Sequence, residues 1–178
     1  MVVAFDALGT LFDLGELKER MSKPLHHAVS LTLAGEWLPL AEVIKAVDPE
    51  LAEKLQALEP YPDARAALES VESAWVLTNG GAKQTRALLE RGGLADVVGE
   101  VHSVEEVKAY KPHSDAYKLL PSGSQLVAAH AWDVLGTQAA GYDAIWVNRR
   151  DEAWPFPGVG APRVAPDLRA AAALATRP

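Results

Sequence analysis

Residues 2–13, VVAFDALGTLFD, carry an apolar run that stops at Asp6 and then turns through Gly9-Thr10. The run from Val2 to Phe5 is too short for a helix and suits a strand buried on both faces. An aspartate at the tip of such a strand projects its carboxylate beyond the sheet edge, and the loop behind it offers backbone N–H groups to an anion. In isolation the same pattern also fits an aspartate that caps a turn, because short motifs recur by chance. The rest of the chain has to decide between the two.

Three further apolar runs read as buried strands: Ala74 to Leu77, Leu126 to Ala129 and Ala144 to Val147. Between them lie helix candidates with three-to-four spacing, Ala82 to Arg91, Ser114 to Leu120 and Trp132 to Ala140, the second ended by Pro121 and the third by Gly141. Strands alternating with helices predict an α/β fold with a doubly wound parallel sheet. Such sheets bind ligands at the carboxyl ends of their strands, which here read Asp6, Thr78-Asn79 and the segment Ala128 to Asp133. Residues 14–58 break the alternation and predict three or four short helices interrupted by Pro24, Gly35, Pro39 and Pro49. The expected organisation is a main domain of residues 1–13 and 59–178 with a small helical module, 14–58, inserted after the first strand. The chain re-enters the main domain through EPYPDARAALESV (59–71), and beyond Asn148 it reads as a Pro/Gly-rich loop followed by an Ala-rich closing helix.

Composition narrows the function classes. With 178 residues, about half of them apolar, the chain can bury a core of its own. The absence of cysteine excludes a disulfide framework and a thiolate metal site, and makes the cytoplasm the expected compartment. No apolar run approaches the roughly 20 residues of a membrane helix, so no membrane association is expected. Lys and Arg number 17 against 24 Asp and Glu, a net charge of −7 with no basic block, which argues against nucleic acid as a partner.

The other strand ends carry chemistry of their own. VLTNG (76–80) supplies a hydroxyl, an amide and exposed N–H groups suited to an anionic oxygen, or a plain β-turn. In VKAYKP (107–112) the proline holds Lys111 off a helix face, although a solvated lysine fits as well. In HAWDVLGTQAAGYDAIWVNR (130–149) Asp133 lies at a strand-to-helix junction, where an N-cap is the simplest role.

Taken in order, these segments resemble the haloacid dehalogenase superfamily of hydrolases. The resemblance implies a Rossmann-like core, a cap formed by residues 14–58, and Asp6 as an aspartate nucleophile, with Thr78, Lys111 and Asp133 at the second, third and fourth motif positions. Phosphatases of this superfamily carry an acid where Leu8 stands, and leucine has no proton to give a departing alkoxide. Their Mg²⁺-binding Gly-Asp pair aligns with Ala128-Ala129, and losing a hard oxygen ligand weakens such a site. FDALGTLFD (5–13), LTNG (77–80), YKPHSDAYK (110–118) and AWD (131–133) look instead like the L-2-haloacid dehalogenases, which need no metal. No cofactor is then expected, with Mg²⁺ only if the phosphatase alternative holds.

By the same resemblance, Asp6 attacks a halogen-bearing carbon and water hydrolyses the resulting ester. Lys111 keeps Asp6 charged, and Asp133 orients Lys111 or activates the water. Thr10, Thr78 and Asn79 hold the substrate carboxylate, while Leu8, Tyr117, His130 and Trp132 are substrate-facing. Two departures stand out. The arginine that receives halide in those enzymes has no counterpart in LAGEWLPL (33–40), and Arg20 is the only arginine of the 14–58 segment, suited to a solvated helix face. A serine and an asparagine expected before Asp133 are replaced by Ala128 and His130. Three readings follow: a metal-independent hydrolase of a small 2-haloacid, a phosphatase of small phosphoesters, and a catalytically silent relative that binds an anion or a protein. The expected partner is a small anionic molecule, and the resemblance allows a homodimer.

Overall fold

The computed structural model describes residues 1–176, so the last two residues of the expected 59–178 segment lie outside it. Six strands form one sheet: β1 (Val2–Phe5), β2 (Ser73–Thr78), β3 (Glu100–Ser103), β4 (Gln125–Ala128), β5 (Asp143–Val147) and β6 (Arg163–Ala165). All neighbours pair in parallel, in the order β3-β2-β1-β4-β5-β6. The order reverses between β1 and β4, and a crevice opens there at the carboxyl ends because connections leave to opposite sides. Asp6 follows β1 at that switch point.

Successive residues of the central strands face opposite layers, as the strand period of two requires. Val3, Phe5, Val76, Val127 and Ile145 pack against α4 (Ala64–Glu69), α5 (Ala82–Arg91) and α8 (Leu168–Ala175). Ala4, Leu77, Leu126 and Ala144 pack against the layer holding α6 (Ser114–Tyr117) and α7 (Ala131–Ala139). The expected strands are all present, with bounds moved by one residue at most. β3 and β6 were not legible because they are the sheet's edges: Val101 is the only apolar residue of EVHS, and β6 exposes two of its three residues. An edge strand needs no continuous apolar run.

Residues 14–58 are helical as expected, but Pro24 does not interrupt them. It lies inside α1 (Leu17–Leu33), a single helix of 17 residues. An interior proline costs about 3 kcal/mol. The buried stripe Leu17, Met21, Pro24 and Ala28 repeats at three-to-four spacing and holds the helix straight through it. α2 (Leu40–Val47) and α3 (Pro49–Lys54) follow, with a short 3-10 turn at Leu55–Ala57. The segment's two ends run side by side: Asp13 N–H donates to Glu59 O at 3.0 Å and Tyr61 N–H to Leu11 O at 2.8 Å. The helix expected over Ser114–Leu120 stops at Tyr117 and continues only as turns.

Candidate active site

The Lys111 ammonium is the hub of the crevice. Its Nζ donates to Asp6 Oδ1 at 2.8 Å, to Asp133 Oδ2 at 2.6 Å and to the Leu77 carbonyl at 3.1 Å. A lysine has three donors, and all three are taken. The side chain is completely buried, so an unpaired charge there would carry a heavy desolvation cost. Its backbone is fixed as well, since Lys111 N–H donates to Asn79 Oδ1 at 2.9 Å.

Asp6 is 5% exposed, and its second oxygen accepts the Thr10 hydroxyl at 2.8 Å. Burial alone would raise its pKa. The neighbouring Lys111 charge and His130 outweigh that and hold Asp6 below the usual carboxylate range. Burial likewise opposes the charge on Lys111, while Asp133 and Asp6 more than compensate and raise it. Asp133 is pushed upward by burial against the opposing pull of Lys111. Asp6 is therefore the carboxylate that stays ionised and retains an opening toward the crevice.

Asp133 has neither solvent access nor a free face: one oxygen accepts from Lys111, and the other accepts the Tyr117 hydroxyl at 2.8 Å. Of the two roles expected for it, orienting Lys111 is the one these contacts fit. Tyr117, expected at the substrate, is itself fully buried, and its hydroxyl donates to Asp133 behind the site. Burial and the adjacent Asp133 charge raise its phenol far above its ordinary value, keeping it a donor. Thr10 is placed similarly. It is fully buried, its proton goes to Asp6, and its oxygen accepts Ala129 N–H at 2.9 Å, linking the β1 loop to the end of β4.

The remaining expected residues do face the crevice. Leu8, Thr78, Asn79, His130 and Trp132 line one narrow cavity together with Asp6. Thr78 Oγ1 accepts Gly80 N–H at 3.0 Å, and its own proton has no acceptor among the described residues. The Asn79 oxygen is taken by Lys111, which leaves its amide N–H groups to point elsewhere. His130 Nε2 lies 2.9 Å from the Leu8 carbonyl and 3.9 Å from Asp6 Oδ2, and the ring stacks on Trp132 with centroids 5.2 Å apart. Gly9 makes that approach feasible: its φ is +83°, and a Cβ there would fall 2.8 Å from His130 Nε2. Arg20 is turned away, paired with both oxygens of Asp48 at 2.7 and 2.9 Å.

The sequence reading passed over Gly136. A glycine in a helix interior is unfavourable by roughly 0.5–1 kcal/mol against alanine, which signals a close approach. A Cβ there would stand 2.5 Å from both the Tyr117 hydroxyl and Pro112 Cβ, and 2.9 Å from Pro112 Cα. Gly136→Ala is expected to lower stability by about 1–3 kcal/mol through overpacking. A urea midpoint equal to wild type would refute the close packing behind Lys111.

No family model matches the chain. Haloacetate dehalogenase H-2 of Moraxella sp. (strain B) is 24% identical over 190 residues, covering 83% of this chain and 85% of that protein. The (S)-2-haloacid dehalogenase 1 of Pseudomonas sp. (strain CBS-3) is 27% identical over 188 residues, covering 82% and 83%. The L-2-haloacid dehalogenase of Xanthobacter autotrophicus, solved with chloropropionic acid covalently bound, superposes with a TM-score of 0.85 at 23% identity, covering 97% of each chain. The chain is thus similar in sequence to curated haloacid dehalogenases and shares the fold of a solved L-2-haloacid dehalogenase. The relatives it matches are themselves haloacetate and (S)-2-haloacid dehalogenases.

The donor set of this haloacid dehalogenase-like site does not fit a divalent ion. Lys111 already bridges the two carboxylates, Asp133 is enclosed, and Ala128 and Ala129 bring no oxygen-bearing side chain. Among the described residues no group of three or more His, Cys, Asp or Glu side chains is arranged to hold a metal. No described helix is long and apolar enough to cross a membrane.

Proposed function

We propose that this protein hydrolyses small 2-haloacids through an ester on Asp6. The observation that carries the proposal is an ionised aspartate with one narrow opening, held by a saturated lysine and faced by a leucine where a leaving-group acid would otherwise be needed. One Asp6 oxygen attacks C2 of the substrate from the side opposite the halogen. The C–X bond breaks, the halide departs with the bonding pair, and an aspartyl ester forms with inversion. Water then adds to the ester carbonyl carbon, the C2 oxygen leaves as the hydroxyl of a 2-hydroxyacid, and the Asp6 carboxylate is restored. Water and substrate thus give 2-hydroxyacid, halide and one proton.

Halide is a stable anion that needs no proton on departure, which suits the absence of an acid at Leu8. Lys111 keeps Asp6 ionised and later faces charge on the ester oxygen, a preorganised electrostatic role. The Thr78 hydroxyl and the Asn79 amide are the donors offered to the substrate carboxylate. Leu8, His130 and Trp132 bound the reacting carbon. Residues 14–58 act as the cap over this site, the enzyme works without a metal, and its expected compartment is the cytoplasm. The substrate stereochemistry, by likeness to the named relatives, is (S).

The test is halide release from (S)-2-chloropropionate in the presence of EDTA, beside p-nitrophenyl phosphate with Mg²⁺. EDTA-insensitive halide release is expected. Turnover of the phosphate alone, dependent on Mg²⁺, would replace this reading with phosphoester hydrolysis. A pH profile adds a signed prediction. An aspartate held below its ordinary value remains ionised as pH falls, so kcat/KM is expected to show no acid limb from Asp6 above about pH 4. A wild-type limb centred at pH 5 or above and assigned to Asp6 would contradict the Lys111 contact.

A further inference from the structure

The cavity directly over Asp6 measures only about 20 Å³, room for the centre of little more than one water-sized group. Whatever else a substrate carries must lie in the spaces that open from it. Two adjoining spaces differ in chemistry. One, about 440 Å³, runs between α1 and the Pro112, His130 and Trp132 wall. It is bordered by Lys18 and His26, neither of which has a carboxylate within ion-pair distance among the described residues, and by Lys111. The Lys18 ammonium at its border suits the passage of anions. The other, about 660 Å³, lies between the 14–58 segment and α5 and shares Leu8, Leu40 and Gly80 with the cavity over Asp6. Ala41, Ile44, Ala52, Leu55 and Leu88 form much of its surface, and its one cation, Arg91, is turned to Glu59 and the Ala57 carbonyl.

We propose that this apolar cleft is a substrate subsite that takes the alkyl chain of a 2-haloalkanoic acid longer than propionate, entering between Leu8 and Leu40. The proposal rests on the 2-haloacid reading above and extends it to a substrate class. At the threshold Gly80 presents no side chain, and the cleft's volume falls within the few hundred to 1,000 Å³ typical of ligand pockets. An alkyl chain leaving C2 in this direction is buried against aliphatic side chains, while the carboxylate and the departing halide remain on the polar side. Leu8 then acts twice: it withholds a proton from the leaving group and forms the apolar sill of the chain's path.

Each methylene buried in the cleft is expected to raise kcat/KM about three- to fourfold until the cleft is filled. The experiment compares halide release from (S)-2-chloropropionate, 2-chlorobutanoate, 2-chlorohexanoate and 2-chlorooctanoate. Alongside the wild type it uses Ala41→Trp, which fills the cleft from an exposed helical position, and Val29→Trp on the opposite wall. Expected is a rising series in wild type and in Val29→Trp, flattened in Ala41→Trp with 2-chloropropionate turnover unchanged. A flat or falling wild-type series, or one that Ala41→Trp leaves intact, overturns the subsite while the reaction stands. Should no 2-haloacid be turned over, the reaction reading fails by itself and calorimetry with propionate, hexanoate and octanoate decides the cleft. Affinity that rises with chain length and is lost in Ala41→Trp upholds it, and affinity independent of length overturns it.

Discussion

Asp6→Asn is expected to abolish halide release, by a factor on the order of 10⁴ or more, while leaving the protein folded. Removing the nucleophile of a covalent mechanism removes its only route through the intermediate, and losses of that size follow when such a group is deleted. Folding should persist because the amide oxygen can still accept from Lys111 Nζ, now 2.8 Å from Asp6 Oδ1, while the amide NH2 at the other position can donate to the Thr10 hydroxyl oxygen once that hydroxyl rotates. The two readouts are the initial rate of halide release and the urea midpoint. Activity within tenfold of wild type would mean that the substitution at carbon is carried out by another group, and Asp6 would be reduced to a buried partner of Lys111.

The largest effect on stability is expected at Lys111. Lys111→Met leaves the enclosed Asp133 and the nearly buried Asp6 without their shared cation, and deleting one partner of a buried ionic network costs roughly 3–5 kcal/mol. Asp133 bears most of the loss, since it has no solvent to turn to and only Tyr117 remains to donate to it. Halide release should disappear with the cation even where the variant stays folded. If Lys111→Met is too unstable to purify, the double variant Lys111→Met/Asp133→Leu provides the comparison: it removes the orphaned charge and should recover stability over Lys111→Met alone, a coupling read by a double-mutant cycle. Equal stability of Lys111→Met and wild type would contradict a buried, saturated ammonium.

Much of this site could be read from the chain before any coordinates, because its residues sit at the ends of strands whose apolar runs are unbroken. Asp6, Thr78-Asn79 and the segment before Asp133 each follow such a run, and a parallel sheet brings all of those ends to one edge. Lys111 follows no such run and was legible only through its place in the ordered motifs; the fold seats it beneath Asp6 by tying its backbone to Asn79. Direction was what the sequence lacked. Thr10 and Tyr117 have hydroxyls near the site, yet both are fully buried and donate to carboxylates. Nothing in residue order distinguishes a hydroxyl facing a substrate from one facing an aspartate. The edge strands β3 and β6 escaped for a different reason: with one partner each, they need few apolar residues to hold their place. Pro24 misled through a local rule that tertiary packing overrode, since the buried stripe of α1 runs through it.

The most direct test of the ester mechanism follows the oxygen atoms. In H₂¹⁸O, with enzyme in excess over (S)-2-chloropropionate for a single turnover, the hydroxyl oxygen of the product should come from Asp6 and carry no label. Under repeated turnover the peptide containing Asp6 should gain ¹⁸O, as water attacks its ester carbonyl each cycle. A labelled product after one turnover, with the Asp6 peptide unlabelled, would show that water attacks the substrate directly and would contradict an aspartyl ester.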